Sequence, residues 1–214
     1  MFTTNEISTL DELLAEAEAS NVKYDIEKIR DAFAFAMAYH INQQRKSGQP
    51  FIVHPLTVAA YIIRLNLDTT SVIAALLHDT VEDTSVSLEQ IDKEFGTDVA
   101  FIVDGLTNLK YYTANFPDHD EGVENFRKLI LKSTEDVRVV IIRLADKLHN
   151  LQTVHHLTPE RQINFAKKIK LIYAPLAEYM GLGYFQSLLE NKAFEILEPQ
   201  KYEVINQSLI DVRR

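Results

Sequence analysis

An all-α fold is predicted for this 214-residue chain by three observations. Apolar residues recur at helical spacing along most of its length. Helix-opening capping pairs, Thr9-x-x-Glu12 and Ser87-x-x-Gln90, punctuate that pattern. Only 6 Gly and 6 Pro interrupt it, so long helices joined by short turns are the expected outcome. With 46% hydrophobic residues the chain can bury a substantial core. The expectation is one domain over residues 1–214, a bundle of roughly ten helices.

Each element has a local reason. The Thr9–Glu12 pair opens a first helix, to about Ala19, in an N-terminal segment 1–24. Ile29, Phe33, Met37 and Ile41 recur along one face of a second, from Ile26 to about Gln44. Arg45-Lys46-Ser47-Gly48-Gln49-Pro50 reads as a turn. Pro55 suits the first position of a third helix, to about Leu65, because proline lacks the N–H that a helix start leaves unused. Asp68 or Thr69 caps a fourth, Ser87 a fifth that Gly96 stops, and a sixth spans about Asp98 to Leu109. Tyr111 to Gly122 is the expected mobile loop, followed by a helix from Val123 to Ser133.

Val137-Arg138-Val139-Val140-Ile141-Ile142 has the composition of a strand. Its pattern continues through Leu144, Leu148 and Leu151, too long for an ordinary strand, so a helix from Glu135 to Thr153 is predicted. Thr158-Pro159 opens another helix, which Pro175 breaks or kinks. Two more segments, separated at Pro199, complete the chain from Tyr184 to Arg214.

Composition narrows the function classes. The net charge is −9, and no Lys/Arg run exceeds two residues, which argues against a nucleic-acid partner. No window approaches 18 uncharged apolar residues, so no membrane-spanning helix or membrane partner is expected. The N-terminus carries no signal-peptide pattern, and cysteine is absent; both fit a cytoplasmic protein. Any metal must therefore be held by His, Asp and Glu, which suits manganese, iron, zinc or magnesium.

His78-Asp79 closes the apolar run Ala74-Ala75-Leu76-Leu77, with Glu82 and Asp83 shortly after. Apolar segments bury, and buried charges need partners; a divalent cation is a fitting one. A second dipeptide of the same kind, His119-Asp120, sits in a polar, proline-containing run and reads as surface loop. His54, before Pro55, and Asp146, in Leu144-Ala145-Asp146-Lys147-Leu148-His149-Asn150, supply the same chemistry from two further segments.

The order His54, His78-Asp79, Asp146 resembles the HD metal-dependent phosphohydrolases, in which four such residues hold one metal. Two imidazoles and two carboxylates balance a divalent charge and leave room for water and a phosphate oxygen. A narrower resemblance follows. Arg45 to Pro55, Leu76 to Thr84, Val103 to Thr107, Glu124 to Lys128, Leu144 to Asn150 and Tyr173-Ala174-Pro175-Leu176-Ala177 match, in order, motifs of the RelA/SpoT alarmone hydrolases. The match covers residues 25 to 205; it departs at Thr80 and Lys147, neither an expected ligand, and is poor in the loop Tyr111 to Gly122.

The resemblance implies metal-dependent hydrolysis of the 3′-pyrophosphate of guanosine tetra- or pentaphosphate (ppGpp or pppGpp), giving GDP or GTP and pyrophosphate. It implies manganese, one ion per chain, held by His54, His78, Asp79 and Asp146. Glu82 and Asp83 match the catalytic acidic pair, which positions or deprotonates the attacking water. Arg45 would stack on guanine, Lys46 and Ser47 would line the nucleotide pocket, and Asn150 and Thr153 would contact base or ribose. Asp146, Asn150 and Thr153 share one helix face by spacing. The chain is then a small stand-alone hydrolase or a piece of a longer enzyme with a synthetase domain in cis. Two other readings remain: a hydrolase of another 2′- or 3′-phosphorylated nucleotide, and a catalytically dead alarmone-sensing module.

Overall fold

A computed structural model of the chain describes residues 4–107 and 130–212. The expected loop Tyr111 to Gly122, His119-Asp120 and the motif Glu124 to Lys128 lie outside the described residues. The described residues are mostly helical, with no strand among them; Gln44 and Pro50 form an isolated bridge. The chain divides into two compact units, Met1–Ala145 and Asp146–Arg214.

In the first unit, α1 (Leu10–Ala19) starts at the predicted capping box: Glu12 N–H donates to Thr9 Oγ1, and Thr9 N–H to the Glu12 carboxylate. Then come α2 (Ile26–His40), α3 (Val53–Arg64), α4 (Thr69–Leu77), α5 (Thr80–Asp83), α6 (Leu88–Phe95) and α7 (Thr97–Leu106). Gly96 joins α6 to α7 at φ 91°, a left-handed conformation suited to glycine. Asp68 caps α4 by accepting from Ser71 N–H, and α4 packs against α2, α3 and α7 at the centre of the unit. Every residue of α3 from Val53 to Ile63 is buried, as is every residue of α4 from Ser71 to Leu77. A helix hydrophobic all round belongs in the middle of a core.

Several details differ from expectation: α2 ends at His40 rather than near Gln44, and the short α5 was not predicted. The buried face of α2 is Ile29, Ala32, Ala36 and His40, whereas Met37 and Ile41 are exposed. The small alanines face the core, and the larger Phe33 and Phe35 lie half-buried beside them. α3 begins at Val53, two residues earlier than its proline suggested, so His54 already lies on the helix.

The helix predicted from Glu135 to Thr153 is α8 (Arg138–Gln152). Residues 130–135 form a separate helical stretch. The strand-like Val139, Val140 and Ile142 are buried helix positions of the first unit. There Gly105 lets α7 approach closely: a Cβ at that position would come 2.8 Å from Val139 Cγ1.

The second unit contains the end of α8, a 3₁₀ turn Val154–His156, α9 (Pro159–Lys168), a π-helical stretch Ile169–Tyr173, α10 (Ala174–Tyr179), α11 (Gly183–Leu197) and α12 (Pro199–Val212). The break expected at Pro175 is the π stretch just before it. Proline cannot donate to the carbonyl four residues back, and the wider turn takes up the change of register. α11 packs on α9, on the π stretch and on α10, burying Phe185, Leu189 and Ala193.

Candidate metal centre

In the first unit the centre is built where α3 and α4 pack together. His54 is the second residue of α3, and His78 is the residue on which α4 ends. Both imidazoles are buried, with ring centroids 5.0 Å apart and planes at 68°. Asp79 follows in the bridge region of the backbone (φ −98°, ψ −8°), where the chain turns from α4 into α5. That turn brings Asp79 Oδ2 to 3.2 Å from His78 Nε2 and 3.5 Å from His54 Nε2, and the two Nε2 atoms are 3.2 Å apart.

This triangle fits a divalent cation. His78 Nδ1 lies 2.7 Å from the Ala75 carbonyl, which can only accept, so the ring proton belongs on Nδ1. A neutral His78 therefore turns the lone pair of Nε2 toward the Asp79 carboxylate and His54. Two ligands each about 2.0–2.1 Å from one ion lie roughly 2.9–3.4 Å apart at angles between about 90° and 110°. Two of the three separations fall in that range, and the third, 3.5 Å, lies just above it. The Ala75 carbonyl is the kind of outer partner that orients a ligating histidine. The sequence motif does not reveal it, because it is a main-chain atom.

Asp146 is the first residue of the second unit and is buried on α8. His54, His78 and Asp146 are buried groups of metal-ligating type. The Asp146 carboxylate accepts from the Asn150 side-chain amide, one turn on, and pairs with Lys147 Nζ at 2.9 Å. Lys147 also lies over the Tyr173 ring at 5.8 Å. Sequence reasoning assigned Asn150 to the nucleotide and gave Lys147 no part. The signal was nevertheless present in the four-residue step from Asp146 to Asn150. The Thr153 hydroxyl lies 3.2 Å from the His149 carbonyl, so it bonds to its own helix.

Glu82 and Asp83 sit on α5, the four-residue helix that follows Asp79; Glu82 is half-buried and Asp83 exposed. Arg45, Lys46 and Ser47 lie on the predicted turn. It is closed by Gly48 N–H to the Arg45 carbonyl and Arg45 N–H to the Gln49 carbonyl, both 2.9 Å, with Gly48 at φ 85°. Arg45 and Ser47 are half-buried and Lys46 is exposed. This turn therefore presents its polar groups at the surface of the first unit, directly before the helix that carries His54.

Comparison with known proteins gives a family and several relatives. A family model described as "HD domain" matches residues 32–183. A guanosine-3′,5′-bis(diphosphate) 3′-pyrophosphohydrolase of Haemophilus influenzae is 46% identical over 178 residues, 82% of this chain and 26% of that protein. A GTP pyrophosphokinase of Myxococcus xanthus is 38% identical over 187 residues, 86% of this chain and 25% of that protein. This chain thus spans about a quarter of the length of these curated relatives. A solved metazoan structure, described as an ortholog of SpoT that hydrolyzes ppGpp and plays a role in starvation responses, has a TM-score of 0.57 and 28% identity. That likeness covers 82% of this chain and 96% of the metazoan one.

Proposed function

The chain belongs to the HD-domain family, and from that premise we propose that it is a manganese-dependent hydrolase of the 3′-pyrophosphate of ppGpp and pppGpp. The carrying observation is the triangle of buried His54 and His78 with half-buried Asp79, set one turn before an acidic pair. The likeness to the Haemophilus influenzae pyrophosphohydrolase and to the metazoan ppGpp hydrolase supports the substrate.

In this reading His54, His78, Asp79 and Asp146 hold the metal. When bound, the metal supplies a Lewis acid and lowers the pKa of water. Asn150 and Lys147 hold the Asp146 carboxylate in a fixed orientation. Glu82 and Asp83 orient the attacking water and take up its proton. Water adds to the phosphorus bonded to O3′, the P–O3′ bond breaks, and O3′ receives a proton. The products are pyrophosphate and GDP or GTP. Arg45 stacks its planar guanidinium on guanine, and Lys46 and Ser47 flank the nucleotide from the same turn. Asn150 and Thr153 meet base or ribose. One domain over residues 1–214 carries this chemistry in a cytoplasmic protein, with a synthetase domain in cis if the chain is part of a longer enzyme.

The test is product analysis. Chelator-treated protein, reloaded with manganese, is incubated with ppGpp, and the products are resolved by anion exchange. GDP and pyrophosphate in equal amounts, formed only with metal, are expected. Intact ppGpp with normal nucleotide binding would overturn hydrolysis in favour of a sensing module. Turnover of another 3′-phosphorylated nucleotide instead would overturn the substrate.

A further inference from the structure

We propose that Gln43 is a positioning residue for the Glu82–Asp83 pair, the middle link of a hydrogen-bond chain from His40 through Gln43 to the Asp83 carbonyl. The inference rests on reading that pair as the acid–base groups, and it adds a residue from the loop after α2 to their support.

The geometry points one way. Gln43 Nε2 donates to the Asp83 main-chain carbonyl at 2.8 Å, and Gln43 Oε1 lies 2.7 Å from His40 Nδ1. A carbonyl can only accept, so the amide nitrogen must face Asp83 and the amide oxygen must face His40. His40 then donates from Nδ1. Its ring is buried and stacked on Phe51 at a centroid distance of 4.4 Å, so the near end of the chain is anchored in the core. Phe51 N–H donates to the Gln43 carbonyl at 3.0 Å, tying the same residue to the segment that leads into His54.

The far end needs such an anchor. α5 has only four residues, Thr80–Asp83, too few to hold a helix together by its own hydrogen bonds. Its closing bonds run from Asp83 N–H to the Asp79 carbonyl and from Thr84 N–H to the Thr80 carbonyl, and the Asp83 carbonyl lies beyond them. Gln43 satisfies that carbonyl, where the acidic pair ends. Loss of that donor should let Glu82 and Asp83 shift. Displacements of about 1 Å around a reacting centre can cost about a hundredfold in rate.

Two variants of the full chain test this. Gln43→Leu keeps volume and removes both hydrogen bonds. Gln43→Glu keeps shape and the acceptor for His40 but presents a carboxylate oxygen to the Asp83 carbonyl. Amide hydrogen exchange across residues 80–84 is read beside kcat, KM for ppGpp and manganese affinity. Both variants are expected to exchange faster there and to lose about tenfold or more in kcat, with KM and metal affinity held within about threefold. Should Gln43→Leu fail to fold, the near-isosteric Gln43→Glu alone decides. Unchanged exchange and kcat in Gln43→Glu would overturn the proposal. So would a parallel loss of metal affinity, which would make Gln43 a prop of the whole centre. If the starting protein hydrolyses no ppGpp, the hydrolase reading fails, and exchange at residues 80–84 still decides the positioning of α5.

Discussion

The turn Arg45–Pro50 and the helix α3 that follows it are neighbours in sequence and opposites in environment. α3 is buried from Val53 to Ile63, and with α4 it carries both imidazoles of the candidate metal centre. The turn is half-exposed or exposed at each position and held by main-chain hydrogen bonds. The difference teaches a division of labour. A metal-binding set needs ligand atoms fixed to fractions of an ångström, which close-packed helices provide. A nucleotide base must arrive from solvent, which a surface turn permits.

The largest expected effect lies on the buried side. His78→Ala and Asp146→Ala should each abolish manganese binding, measured as metal per chain after dialysis, and lower kcat by at least about a hundredfold. Metal retained at one ion per chain in either variant would remove that residue from the ligand set. Next comes Glu82→Gln, which should keep metal and ppGpp binding while losing between about tenfold and a thousandfold in kcat. Normal turnover there would end the acid–base assignment.

Arg45→Ala, on the exposed side, should raise KM for ppGpp by about tenfold, since base stacking contributes roughly 1–3 kcal/mol. Melting temperature and metal content should not move. A fall in melting temperature equal to that of a core substitution would collapse the distinction between turn and scaffold.

The smallest effect is a pH dependence. Burial holds His40 below its ordinary value of 6.5, outweighing the Gln43 hydrogen bond. The unfolded chain therefore binds a proton that the folded one refuses. The resulting stability is full above about pH 6.5 and is lost as pH falls toward the folded-state value. Relative to His40→Phe, which keeps the aromatic stack, the starting protein should lose stability between pH 7 and pH 5 in urea titrations. A constant difference across that range would show that His40 does not titrate in this way.

Much of this was legible in the residues. The capping boxes at Thr9 and Ser87 hold, because their donors and acceptors are three residues apart and need no distant partner. α8 is a helix despite its β-branched run, because the apolar pattern outlasts any ordinary strand. The buried face of α2 was not legible. Periodicity marks which residues can share a face, and only packing selects Ala32 and Ala36 over Met37 and Ile41.

By itself, then, the sequence determined the helical class, most element boundaries, and the residue types and order of the candidate metal set. Each of these depends on local spacing or on side-chain chemistry carried by the chain itself. The tertiary structure alone decided that His54, His78 and Asp79 meet within 3.5 Å, and that Gln43 reaches Asp83 across forty residues of chain. Those are contacts between segments far apart in sequence, and no local pattern encodes which distant group a side chain will reach.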